Sequence, residues 1–177
     1  MPPTPWRSDP ALAGMFHPDF PDDLQIVVHD GEPRRVGRKP ELCWVRVVAA
    51  EKGPERPVMT GSSPAPSPSR SVYVAELLSE PFHLTSVKKG DSVRFLADPG
   101  SAHPVTVTSA YLAERPGWQF QPCRTCGAHE GLGPPSVMGA TRFPDVESPP
   151  LAFTSHCSLC GGVQLLQRVD ASGADAR

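Results

Sequence analysis

Four cysteines stand in two matched pairs, Cys123-Arg124-Thr125-Cys126-Gly127 and Cys157-Ser158-Leu159-Cys160-Gly161. Two Cys-x-x-Cys pairs supply four thiolates, enough to close a tetrahedral Zn²⁺ shell and leave no position for a substrate. The chemistry this spacing predicts is structural: Cys123, Cys126, Cys157 and Cys160 hold one zinc ion that stabilises a fold element. The glycine after each pair fits, because a tight knuckle needs a residue tolerant of positive φ, whose neighbouring N–H groups then turn toward sulfur. The first ten residues are proline-rich and have no apolar run, so no signal peptide is expected. Paired thiols then belong in the cytoplasm, a reducing compartment, where zinc is preferred to two disulfides or a redox-active pair.

Other reactive side chains are read against plainer roles. Cys43 lies in the apolar run Leu42-Cys43-Trp44-Val45 and reads as a small buried hydrophobe on a strand, not as a nucleophile. His129 and His156 flank the knuckles, but four thiolates already suffice, so both are expected beside the metal shell or on the surface. His83 and His103 sit near prolines or loop edges and read as ordinary histidines, with Asp91 and Glu114 as the carboxylates with which they would have to pair in an active site. Trp118 and Phe120 precede the first knuckle, where packing the ribbon on the rest of the chain is a simpler use than stacking on a base. The chain contains no Gly-rich phosphate loop, no His-Glu-x-x-His helix and no Gly-x-Ser-x-Gly elbow. No catalytic residue is assigned.

The elements that must carry the cysteines are mostly strands. Residues 24–29, 43–50 and 71–78 are apolar, β-branched runs, and Gly90-Asp91 turns the chain into a strand where Val93 and Phe95 alternate with Ser92 and Arg94. Residues 104–107 add a short strand, and Thr108 caps a helix that Pro116-Gly117 ends. The fold class predicted is mainly β with minor α, a small barrel-like domain with an appended zinc ribbon. Residues 1–20 form a proline-rich arm lying on the surface or loosely ordered, and 21–117 the β-rich domain. Residues 53–71, rich in proline and serine, read as a flexible, dispensable insertion within that domain. Residues 118–169 form the zinc module, with a β-hairpin leaving the second knuckle, and 170–177 a frayed tail. Arg34, Arg35, Arg38 and Lys39 crowd one short connection, which is either a solvated loop or a contact for phosphate or an acidic partner.

The order Cys43-Trp44-Val45-Arg46-Val47, then Tyr73-Val74-Ala75-Glu76-Leu77-Leu78-Ser79-Glu80-Pro81, then Leu84, Val87, Lys88, Gly90, Asp91, Val93 and Phe95 resembles small bacterial domains of the YegJ-like kind. Those carry a Trp-Val-x-Val strand, a strand ending in a polar-Pro corner, and a Leu-Lys-x-Gly-Asp-x-Val-x-Phe hairpin. The resemblance covers about residues 42–97. It implies a compact strand-rich domain and no established activity. The long insertion and the appended cysteine module depart from that pattern. The module itself resembles a zinc ribbon, although the knuckles are separated by 30 residues, 127–156, where about 15–20 is common. An inserted loop at 131–150 accounts for the difference.

Composition narrows the function. Apolar residues make up 38% of the 177, and there are 23 prolines, so part of the chain is irregular. The formal net charge is −2, which does not favour nucleic acid or an anionic membrane, and no run has the length of a membrane span. The cysteine module balances Arg124, Arg142 and Arg168 against Glu130, Asp145 and Glu147. The leading expectation is a zinc-stabilised, non-enzymatic binding protein of bacterial type whose partner is a protein. The alternatives are a nucleic-acid-binding ribbon, which needs a basic face, and an enzyme, which needs a pocket of convergent polar groups between barrel and ribbon.

Overall fold

The computed structural model describes residues 4–54, 57–60, 63–66, 70–97 and 102–169. Strand β1 (Asp23–Val28), β2 (Glu41–Lys52), β5 (Ser71–Leu77), β6 (Ser92–Leu96) and β7 (Val105–Thr106) close a barrel in that order. Neighbours are antiparallel except at the closure, where β7 runs parallel to β1. Alternation builds the core: Leu24, Ile26 and Val28 of β1 meet Cys43, Val45 and Val47 of β2, all buried. Tyr73, Ala75 and Leu77 of β5 and Val93 and Phe95 of β6 complete it, with Tyr73 stacked on Phe95. Cys43 is buried in this core, and burial pushes its thiol pKa up, as its apolar setting requires. A bulge between Val47 and Ala49 shifts the β2–β5 register and turns Val48 out to solvent.

The short helix α1 (Pro33–Val36) spans the arginine-rich connection between β1 and β2. Between β2 and β5 the chain departs at Gly53, whose N–H donates to Arg70 O at 2.6 Å. There β3 (Pro57–Thr60) and β4 (Ser63–Pro66) pair with each other in an antiparallel ribbon. The remaining residues of that excursion lie outside the described residues, as does the tail at 170–177.

The proline-rich arm is docked rather than loose. Asp9 caps a short 3-10 turn, Pro10–Leu12, and accepts a hydrogen bond from the Tyr73 hydroxyl. Leu12 is thereby fully buried in the barrel core, while Trp6 and Arg7 both donate to Asp22. The arm therefore lies against the barrel and is not loose, for a local reason: the capped turn fixes Leu12 in the core, and Trp6, Ala11, Met15 and Phe16 pack against it.

Helix α2 (Ser109–Glu114) begins at Thr108, whose side chain accepts from Tyr111 N at 3.1 Å, so the predicted cap is in place. After it come β8 (Trp118–Phe120), helix α3 (Pro135–Arg142), β9 (Ala152–His156) and β10 (Val163–Arg168). The last three strands form a second antiparallel sheet in the order β8-β10-β9. Val72 and Leu96 are buried on the outer face of the barrel because Tyr111, Phe120, Met138, Phe153 and Leu166 cover them. Each such side chain buried contributes about 1.5–3 kcal/mol. Phe120 and Trp118 thus take the packing role, not a stacking platform.

Candidate metal centre

The second sheet presents the two knuckles to each other. The first follows β8, and the second is the turn joining β9 to β10, so the expected hairpin has the knuckle at its tip. Cys123 N donates to Ala128 O at 2.9 Å, and Cys157 N donates to Gly162 O at 2.6 Å. Gly127 N and Gly161 N then bond back to the carbonyls of Cys123 and Cys157, both at 2.8 Å. Gly127 and Gly161 take φ of 75° and 77°, the left-handed turn that a residue without Cβ adopts freely. The two loops are near-copies of one another, built by the same hydrogen bonds.

All four cysteines are free thiols, and their sulfurs lie within 4.8 Å of one another. Cys123 Sγ is 3.5 Å from Cys160 Sγ, and Cys126 Sγ is 3.6 Å from Cys157 Sγ. Four sulfurs about 2.3 Å from a common centre at tetrahedral angles stand about 3.8 Å apart. The donor set therefore fits one metal ion. Cys123 and Cys157 are buried, whereas Cys126 and Cys160 are nearer the surface. Backbone N–H groups aim at the sulfurs, as Gly162 N does at Cys160 Sγ over 3.4 Å. Burial pushes the Cys123 thiol up, but the N–H groups of Cys126 and Thr125 outweigh it and bring the pKa down to about 7. Burial pushes Cys126 and Cys157 up.

Gly162 is a third glycine the site requires, for closeness rather than turn geometry. A Cβ there would stand 2.8 Å from Cys123 Sγ and 2.5 Å from Thr125 Oγ1. The knuckles can meet only because that position is bare. Gln164, buried on β10, donates to Ala128 O at 3.0 Å and ties the hairpin to the first knuckle.

A buried polar knot anchors this module to the barrel, and no sequence motif marks it. Glu130, four residues beyond the first knuckle, accepts from Arg115 Nε at 2.8 Å and from Arg70 Nη1 at 2.5 Å, and also from the Tyr111 hydroxyl. Arg115 also donates to Trp118 O and lies over the Phe120 ring, 4.1 Å from its centroid. Burial and the neighbouring Glu130 charge hold the Tyr111 hydroxyl protonated, well above its usual pKa.

The histidines fall outside the thiol cluster. His156 places Nδ1 3.4 Å from Gly161 O, and among the described residues the metal-capable group contains neither His156 nor His129. His83, His103, Asp91 and Glu114 are not brought together. His83 lies in an exposed loop, Asp91 accepts from Lys88 N, and Glu114 binds Ser136. Among the described residues, no helix is long and apolar enough to cross a membrane. Compared with protein-family models, with curated proteins and with solved structures, the chain finds no match, so its function rests on the site itself.

Proposed function

We propose that the protein is a zinc-stabilised binding protein, acting in the reducing cytoplasm, that recognises a protein partner through a surface shared by barrel and ribbon. The observation that carries the reading is the convergence of Cys123, Cys126, Cys157 and Cys160 into a closed four-thiol set. Such a set suits zinc in a structural role, because every coordination position is a protein sulfur. Free thiols on all four ligands support the same assignment over disulfides. The metal would fasten the two knuckles, and through Glu130 and Phe120 the ribbon would be held on the barrel. The barrel itself is assigned to the YegJ-like kind. What supports this is that the resembling stretch, about residues 42–97, runs through β2, β5 and β6.

Metal analysis of protein purified without chelator tests the central claim, with about one zinc per chain expected and X-ray absorption showing four sulfurs near ~2.3 Å. Iron in place of zinc, or no metal, overturns it. Cross-linking in cells followed by native purification tests the binding claim, and it expects a protein joined at residues of both modules. Turnover of a small molecule that survives removal of every co-purifying protein would count for an enzyme instead.

A further inference from the structure

A cavity of about 200 Å³ lies where the end of β1, helix α1 and β7 meet loop 131–134 and helix α3. It is smaller than the sites of drug-sized ligands, about 300–1,000 Å³, so its guest is a small molecule. Most polar side chains around it are already committed. His29 accepts from Gly31 N at Nδ1 over 3.0 Å and donates from Nε2 to Thr106 O over 2.8 Å. Both ring nitrogens are therefore used, and the ring is neutral. Asp30 takes Arg38 Nε at 2.5 Å together with the N–H and hydroxyl groups of Thr85 and Ser86. Thr108 Oγ1 is the cap of α2, and the Tyr111 hydroxyl is bound to Glu130.

Three lining side chains keep free capacity: Glu32, Thr106 and Arg35. Glu32 is 9% exposed, and its Oε2 has neither solvent contact nor a hydrogen-bond partner. Thr106 is equally buried, and its Oγ1 is unpartnered in the same way. A buried polar atom without a partner is costly, and more so when it carries charge. Arg35 stands three residues after Glu32 on α1, on the same helix face. It is exposed at the rim and forms no ion pair among the described residues. The Asp30–Arg38 pair cancels, so the open charges are one carboxylate inside and one guanidinium at the rim, with no net charge between them. The rest of the wall is apolar, formed by Val107, Leu132 and Val137.

We propose that this cavity binds a small zwitterion, a free α-amino acid with an apolar side chain. Its ammonium meets Glu32 and Thr106 Oγ1, its carboxylate meets Arg35, and its side chain settles against Val107, Leu132 and Val137. The terminal torsion of a glutamate is broad, so a small rotation turns Oε2 toward the guest. A simple anion would place its charge beside Glu32, and a simple cation would leave Arg35 without a counterpart. Opposite charges separated across an apolar wall match a molecule that carries both. This site goes beyond the protein-partner reading and does not depend on it.

The test is calorimetric titration of the zinc-loaded full chain with the standard L-amino acids. Each amino acid that binds is then compared with the amine and the acid derived from it, isobutylamine and isovalerate in the case of valine. The expected result is saturable binding of an aliphatic amino acid at one site per chain, with both fragments weaker by about tenfold or more. Glu32→Gln and Arg35→Ala should each weaken that binding by a similar factor, whereas Arg34→Ala, outside the cavity, should leave it unchanged. Arg35→Ala alters an exposed side chain and serves where Glu32→Gln fails to fold. No binding of any amino acid at millimolar concentration would overturn the proposal. So would a fragment that binds as tightly as its parent, or binding indifferent to the substitutions at Glu32 and Arg35. A zinc-loaded chain that cross-links to a protein but takes up no amino acid would remove only this site.

Discussion

The barrel and the ribbon solve the same problem by different means. The barrel buries alternate residues of β1, β2, β5 and β6 together with Leu12, and its core consists almost wholly of apolar side chains. The ribbon has few such residues. Phe120, Met138, Phe153 and Leu166 are spent on its contact with the barrel, and what remains beneath the knuckles is Cys123, Ala128 and Cys157. A region of that size cannot offset the entropy of ordering its chain by apolar burial alone. It depends on the thiol cluster at one end and the Arg115–Glu130 knot at the other. The difference teaches that the two halves should respond separately to metal and charge, although they share a packed interface.

Cys126→Ser, or removal of metal by a chelator, breaks the comparison most severely. Structural zinc is worth on the order of 10 kcal/mol to a small site. Hydrogen exchange should show protection lost over residues 118–169 and kept in β1, β2 and β5. Uniform loss throughout the chain would show that the barrel depends on the ribbon. Glu130→Ala comes next, at about 3–5 kcal/mol, because it leaves the buried Arg115 without its charge partner. Denaturant unfolding should register that loss while zinc stoichiometry stays at its wild-type value.

Asp30 tests the barrel's own polar clamp. Burial pushes its carboxyl up, but the donors of Ser86, Thr85 and Arg38 prevail and hold it well below the usual carboxylate range. A depressed folded pKa means the unfolded chain takes up the proton first. Its contribution is therefore complete above the ordinary carboxylate value of about 4 and lost as pH falls below it. Asp30→Asn should remove about 1.5–3 kcal/mol near neutrality and flatten this part of the acid profile, read by thermal melts from neutral pH down to about pH 3. Cys43→Ser should have the smallest effect, about 1–2 kcal/mol from a hydroxyl placed in the apolar core. Its zinc content should be unchanged, and zinc loss in this variant would show that the ligand set includes a barrel residue.

Several of these features could be read before any fold was known, and the reason is that they are local. Spacing alone sets two Cys-x-x-Cys knuckles with their glycines, apolar β-branched runs mark β1, β2 and β5, and period-two alternation marks β6. Thr108 as cap and Pro116-Gly117 as stop mark α2, and the apolar neighbours of Cys43 mark it as core. Helix α3 escaped notice inside the presumed loop 131–150 because its buried face is thin, with Pro135, Met138 and Gly139 in place of an aliphatic stripe. Leu12 escaped because the apolar residues of the arm, Trp6, Ala11, Leu12, Met15 and Phe16, are interrupted by prolines and a glycine and follow neither a strand nor a helix period.

Contacts between distant segments were decided only by the tertiary structure. Arg70, Tyr111, Arg115 and Glu130 come from separate stretches, and nothing in any one of them signals that it will share a buried charge. Gly162 becomes indispensable only when the first knuckle is brought against it. Glu32 and Arg35 line one cavity with Thr106 only when loop 131–134 and α3 are packed against α1. Chain-local chemistry determined the strands and the thiol pairs, because dihedral preference and side-chain alternation act within a few residues. Closure of the barrel and docking of the ribbon determined the charge knot and the cavity, because those depend on which surfaces exclude water together.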